Sequence, residues 1–232
     1  MTYVLRAPNV YSGGPLHIRI LFAAVGRLNE LDESEMFAID FSKFKDGIEV
    51  ACPDFVVARD AGKMVANLNR MPVMVVDGVA IGQIPVIKRL VAKRMGLMGD
   101  NDLEAAQMEM VLEHLQDVKK EYNDTKKVGA EAVAEWFTKN LPVWMGKLEN
   151  CLPGNNLPGN KISLPGNNHP GFLIGSKLSL ADTELYTIVT AFFDNLEGAA
   201  ASIAACPKIQ KSVELVKALP GIVALRELAS ST

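Results

Sequence analysis

The sequence predicts an α/β N-terminal domain followed by an all-α C-terminal helical domain, and three observations carry that prediction. A strand–loop–helix pattern opens the chain. A β-hairpin running straight into a helix occupies residues 71–90, and beyond residue 100 only helical periodicities occur. Gly96 and Gly99 form a natural break, so the expected domains are residues 1–99 and 100–232.

In the first domain, residues 3–5 form a short strand that must end by Pro8, and the polar turn 9–14 follows with two glycines. A helix is expected to begin near Pro15. Leu16, Ile20 and Ala23/Ala24 recur at helical spacing up to Gly26, which can leave the helix in a left-handed conformation. One strand is expected within residues 27–60, where FAIDFSKF and GIEVA both have strand-like composition without a helical period. Residues 72–76 and 79–81 are β-rich runs separated by Asp77-Gly78, a dipeptide suited to the positive φ angles of a tight hairpin turn. Gln83 then starts a helix with Pro85 in its first turn, where the missing N–H is harmless. Ile87, Leu90 and Val91 supply its buried stripe.

In the second domain, Met108, Val111, Leu112, Leu115 and Val118 form one apolar stripe, and residues 132–148 continue the helical pattern with Trp136 and Trp144. Residues 151–171 are of low complexity. LPGN recurs there at Leu152, Leu157 and Leu164, which predicts an exposed, mobile loop whose expansion costs little closure entropy. The run Ser179-Leu180-Ala181-Asp182 places a carboxylate three residues after a serine, ahead of Leu185, Ile188, Val189, Phe192 and Leu196 at helical spacing. That pattern predicts a capped, buried helix.

Composition narrows the function classes. A net charge of −3 without a dense Lys/Arg run lacks the electrostatic footprint of a nucleic-acid or anionic-membrane binder. Cys52, Cys151 and Cys206 are far apart, with no C-x-x-C pair, so neither a disulfide framework nor a zinc knuckle is suggested. His17, His114 and His169 have no ligand spacing, and no metal site is expected. The N-terminus lacks a basic region followed by a long apolar stretch, and Asp194 and Glu197 break the apolar segment 185–206. The expected location is therefore the cytoplasm.

A strand, a helix, a hairpin, a helix and then only helices is an order that resembles the cytosolic glutathione transferases of sigma, pi and mu type. The local matches are Met71-Pro72 leading into VMVVDG, the Gly82-Gln83 step, the Glu104-Ala105-Ala106 helix start, Gly175…Ser179-x-x-Asp182, and the terminal LPGIVALRE. The resemblance implies a thioredoxin-like, glutathione-binding first domain and a divergent member of the family. It further implies a cis peptide bond before Pro72, with the Met71 backbone turned toward the cysteinyl part of glutathione. The γ-glutamyl carboxylate would sit at the N-terminus of the helix from Gln83, where free N–H groups and the helix dipole favour an anion. Ile84 stands where the family usually has Ser or Thr. Losing one hydrogen bond to a charged group costs about 1.5–3 kcal/mol, roughly a tenfold loss of affinity or more. Lys63 falls where many members place a lysine that meets the glycyl carboxylate, and Arg59 where they often have tryptophan. Glu109 matches an aspartate that reaches the ligand's α-amino group from the neighbouring subunit, which implies a homodimer.

The same resemblance implies a transferase that conjugates the glutathione thiolate to an apolar electrophile, a detoxification chemistry. A thiol of pKa ~8.5 needs a neighbouring hydroxyl donor to react as thiolate at neutral pH. Pro8 occupies the position where the tyrosine-type classes carry that hydroxyl, which leaves Tyr11 and Ser12 in the loop NVYSGG as the candidates. The alternative is a non-catalytic binding or structural protein of the same fold, which Pro8 and Ile84 favour. Thiol exchange is ranked last, because the loop after the first strand holds no cysteine.

Overall fold

The computed structural model describes residues 1–152 and 171–231. The chain divides into two compact units, Met1–Val91 together with the residues from Ala224 onward, and Ala92–Val223.

The first unit is built on a mixed four-stranded sheet of order β2-β1-β3-β4: β1 (Tyr3–Arg6), β2 (Leu31–Asp32), β3 (Val73–Val76) and β4 (Val79–Gly82). Helix α1 (Gly13–Ala24) makes the crossover to β2, which runs parallel to β1, whereas β3 is antiparallel to both β1 and β4. Tyr3 and Leu5 of β1 and Val73 and Met74 of β3 are fully buried. Tyr3, Leu5 and Met74 share one face of the sheet, where the Phe22 ring of α1 meets Tyr3 edge-on at 5.0 Å, and Val73 lies on the other. Gly26 leaves α1 at φ 70°, and Asp77 and Gly78 both adopt positive φ (50° and 84°), the geometry that an Asp-Gly hairpin turn requires.

Residues 27–60 depart from the expectation of a strand in the runs FAIDFSKF and GIEVA. The strand there is the two-residue β2, and those runs fall instead in a loop, a 3-10 turn (Phe41–Asp46) and the short helix α2 (Ile48–Ala51), followed by α3 (Pro53–Asp60). Phe37, Cys52, Phe55, Ala58 and Met64 bury themselves in a local cluster against Val73, with the Phe37 and Phe55 rings 5.9 Å apart. Apolar packing of that cluster overrides β composition. Asp40 accepts from Ser42 N to cap the 3-10 turn, and Pro53 at the first position starts α3.

The second unit contains α5 (Asp102–Val128), α6 (Ala130–Glu135), α7 (Leu141–Cys151), α8 (Leu180–Thr187), α9 (Leu196–Ser202) and α10 (Pro207–Lys217). Helix α4 (Ile84–Arg94) enters it and α11 (Pro220–Ser230) leaves it. The α5 stripe Met108, Val111, Leu112, Leu115 and Val118 is buried as its spacing predicts. It ends on Tyr122, whose ring meets Trp136, Phe137, Phe192 and Phe193 at centroid distances of 5.0–6.0 Å and whose hydroxyl donates to Asp194 at 3.1 Å. Two π-helical turns, Trp136–Asn140 and Ile188–Phe192, contribute to this cluster. The LPGN repeats lie outside the described residues from residue 153 on.

Two buried carboxylates organise the helix ends of this unit. Glu149 of α7 accepts from the N–H groups of Lys208 and Ile209 at 3.1 and 3.0 Å, capping α10 from a neighbouring helix. Asp182 is fully buried and accepts from Leu173 N, Ser179 N, Ser179 Oγ and Ser212 Oγ at 2.7–2.9 Å. Burial pushes its carboxyl up, and the donors pull it back. Each buried donor stranded by its removal costs about 1–3 kcal/mol. Asp182→Ala should therefore lower the unfolding free energy by roughly 3–4 kcal/mol. Urea denaturation is the check, and a loss under about 1 kcal/mol would contradict the role given to these bonds.

Candidate functional site

Strand register builds the candidate site. Arg6 of β1 pairs with Val73 of β3, and Val73 pairs with Gly82 of β4, so three strand ends lie side by side. The segments attached to them, 7–8, 71–72 and 83–84, are thereby brought together. The Met71-Pro72 peptide is cis, as the family resemblance implies. Asn67 Nδ2 donates to Pro72 O at 2.9 Å, and the 3-10 turn Val65–Asn67 lies directly on the end of β4. That approach requires glycine at position 82, because a Cβ there would stand 2.4 Å from Ala66 O.

Helix α4 begins at Ile84, one residue later than the sequence reading placed it. Gln83 is exposed, holds a left-handed φ of 68°, and accepts from Ile87 N with its carbonyl. The N-terminal turns of α1 and α4 touch: a Cβ on Gly14 would lie 2.6 Å from Ile84 Cδ1. Two sets of free helix N–H groups thus converge beside residues 71–72, an environment that favours an anionic ligand.

The loop between β1 and α1 carries the two candidate hydroxyls. Ser12 is the N-cap of α1, yet it is exposed and makes no side-chain capping bond. Tyr11 is half-buried, with the Arg19 guanidinium 4.3 Å from its ring centroid. Arg19 itself is 1% exposed and donates to Glu33 Oε1 and Val10 O, both at 2.6 Å, and to Asn9 Oδ1 at 3.2 Å.

Lys63 follows α3 and is tied to the end of β1. Arg6 Nη1 donates to Lys63 O at 3.2 Å, while Glu35 Oε2 receives Arg6 Nε at 2.6 Å and Lys63 Nζ at 3.4 Å. Arg59 instead directs its guanidinium to Asp60 at 2.9 Å and Glu49 at 3.5 Å. Glu109 is a half-buried residue of α5, in the other unit. Sequence reasoning did not find Glu35, Arg6 or Arg19. Arg19 had one signal, a lone charge inside the apolar run LHIRILFAA, whereas Glu35 had none among the scattered acids of DESE. Among the described residues, no group of three or more His, Cys, Asp or Glu side chains is placed to hold a metal ion.

Residues 113–227 match the family model described as glutathione S-transferase, C-terminal domain. Glutathione S-transferase P 1 of Xenopus laevis is 28% identical over 174 residues, spanning 75% of this chain and 76% of the relative. A Pi-class glutathione S-transferase structure from Onchocerca volvulus superposes with a TM-score of 0.72 at 16% identity, covering 100% of this chain and 95% of that one. One from the hookworm Necator americanus, described as monomeric, gives 0.69 at 20% identity, covering 98% and 97%. At such identities the structural matches speak for the fold: a thioredoxin-like α/β unit followed by an all-helical one. Residues 113–227 thus match a glutathione transferase C-terminal domain, and the chain as a whole is similar to glutathione transferases, as a divergent relative.

The Arg6 hydrogen bond, followed by the charges of Arg6 and Lys63, holds the Glu35 carboxyl below its ordinary value. A depressed folded-state pKa means that the interaction is present above the unfolded value and is lost as pH falls through the folded one. Carboxyl NMR should therefore show Glu35 titrating below the ordinary value of about 4.3, and Arg6→Met should move it upward. An unchanged midpoint in Arg6→Met would refute this account.

Proposed function

We propose that this protein is a glutathione transferase that joins the glutathione thiolate to an apolar electrophile. The observation that carries the reading is the Val73–Gly82 register, which sets Met71-Pro72 beside Gln83-Ile84 at the N-terminus of α4. In this reading the Met71 backbone meets the cysteinyl part of glutathione, Gln83 and the Ile84 N–H meet the γ-glutamyl carboxylate, and Lys63, flanked by Arg59, meets the glycyl carboxylate. Tyr11 or Ser12 donates to the sulfur, which attacks the electrophile as the leaving group departs. Glu109 of a second copy meets the α-amino group. Leu68, 77% exposed at a left-handed φ of 53°, and the exposed Val65 support a homodimer, since such apolar side chains are better covered than solvated. The protein works in the cytoplasm on detoxification substrates in this reading. Pro8 and Ile84 favour a second reading, a non-catalytic binding or structural protein of the same fold.

Three measurements test these readings. Conjugation of glutathione to a generic aryl halide should exceed the uncatalysed rate, and an uncatalysed rate together with retention on immobilised glutathione would select the binding-protein alternative. Gln83→Ala should lose retention, whereas Ile84→Ser should bind glutathione about tenfold more tightly by restoring a hydroxyl donor. Sedimentation should give twice the 25.2 kDa of one chain, and Leu68→Asp should shift it to the monomer; a wild-type monomer would remove Glu109 from the site.

A further inference from the structure

We infer that Glu35 is an internal competitor for the ligand's terminal carboxylate: it neutralises Lys63 from within the chain and lowers the affinity that Lys63 can supply. The inference rests on the proposed reading in which Lys63 meets the glycyl carboxylate of glutathione, and it adds what regulates that contact.

The proposed reading gives the glycyl carboxylate two cations, Lys63 and Arg59, and the fold pairs both of them internally. Arg59 lies 2.9 Å from Asp60 and 3.5 Å from Glu49, so two carboxylates meet one guanidinium. At Lys63 the balance is reversed. A single Glu35 oxygen takes Arg6 Nε at 2.6 Å and Lys63 Nζ at 3.4 Å, two cations to one carboxylate. An excess of one positive charge is therefore left there, and it attracts an anionic group. Register sets that charge beside the candidate site, because Arg6 pairs with Val73 and Val73 with Gly82, while Arg6 Nη1 holds Lys63 O at 3.2 Å.

The two partners of Glu35 are not equivalent. Arg6 has only 14% of its side chain exposed, and its charge needs a fixed acceptor. Lys63 is half exposed and its bond to Glu35 is the longer one, so water screens the pair and its release costs little. Glu35 thus stays with Arg6 while Lys63 can turn to a second carboxylate. That turn is opposed by the like charge of Glu35 close by and by the bond given up. A pair of this exposure is worth up to about fivefold in affinity, and that is the range over which Glu35 holds the ligand contact down.

The experiment is a double-mutant cycle between Glu35 and Lys63, read by calorimetry as the Kd for glutathione. The glycyl monoethyl ester of glutathione serves as the probe that lacks the terminal charge. Both side chains are partly exposed, and a glutamine at position 35 keeps an acceptor for Arg6 Nε, so the variants retain the fold. Glu35→Gln should tighten glutathione about three- to fivefold and leave the ester within about twofold. High salt should shrink that gain. Lys63→Met should weaken glutathione at most about threefold on its own but about tenfold beside Glu35→Gln, because the competitor is then gone. Weaker binding in Glu35→Gln would make Glu35 a support for Lys63 and overturns the inference. An equal cost of Lys63→Met in both backgrounds does the same, as does a gain that extends to the ester. If Lys63→Met has no effect in either background, Lys63 leaves the site, and the inference falls while the rest of the ligand reading stands. If wild type binds no glutathione, the ligand reading itself fails, and this inference with it.

Discussion

The pairing of β3 with β4 is fixed by a turn of two residues. With Asp77 and Gly78 both at positive φ, Val76 must face Val79, and Val73 must then face Gly82. A slip of one residue would exchange the two faces of a strand and carry Gln83 away from Pro72, so one local constraint sets both the side-chain faces and the candidate ligand end. The second register, Arg6 against Val73, delivers the end of β1 to the same place. Gly82 completes the arrangement. Its missing Cβ lets the 3-10 turn that follows Lys63 rest on the strand end, and the Asn67 side chain then reaches Pro72 O.

Charged groups are buried in this protein where they join segments distant in sequence. In the first unit Arg19 connects α1 to the loop before it and to the segment after β2. In the second, Asp182 ties Leu173, Ser179 and Ser212 together, and Glu149 closes the N-terminus of α10, whose own N-cap residue, Cys206, offers no side-chain bond. Lys119 and Glu184 add an ion pair at 2.5 Å between α5 and α8. Desolvation makes each of these groups expensive and a partial network worse than none. What such networks contribute is a single arrangement of chain segments, which apolar packing alone leaves less sharply defined.

Local patterns were legible in the sequence, and long-range pairings were not. The hairpin, the α5 stripe and the Ser179–Asp182 relation each depend on residues within a few positions of one another, so period and turn chemistry reveal them. Residues 27–60 misled because FAIDFSKF has β composition, yet its pairing stops at a single bridge between Phe37 and Pro8, and the Phe37 side chain packs with Phe55 and Met64. The start of α4 moved by one residue because Gln83 takes a left-handed φ that its residue type does not announce. At the candidate site, the ligand-facing residues were named from resemblance, while Glu35 and Arg19 emerged only once folding brought Lys63, Arg6 and Tyr11 to them.

Ile84 shows how stability and ligand affinity are coupled at one position. Its side chain packs on Gly14 closely enough that a Cβ there would displace it, and the contact sets the N-terminal turns of α1 and α4 against each other. A serine in its place would offer a donor worth about 1.5–3 kcal/mol to a carboxylate, but it would remove apolar surface and leave a gap worth a similar amount. The hydroxyl would then act from a helix terminus that has lost part of its support. An apolar residue at this point therefore trades recognition for rigidity. The backbone N–H groups remain to hold an anion, and the geometry in which they converge is secured by the same side chain that withholds the extra hydrogen bond.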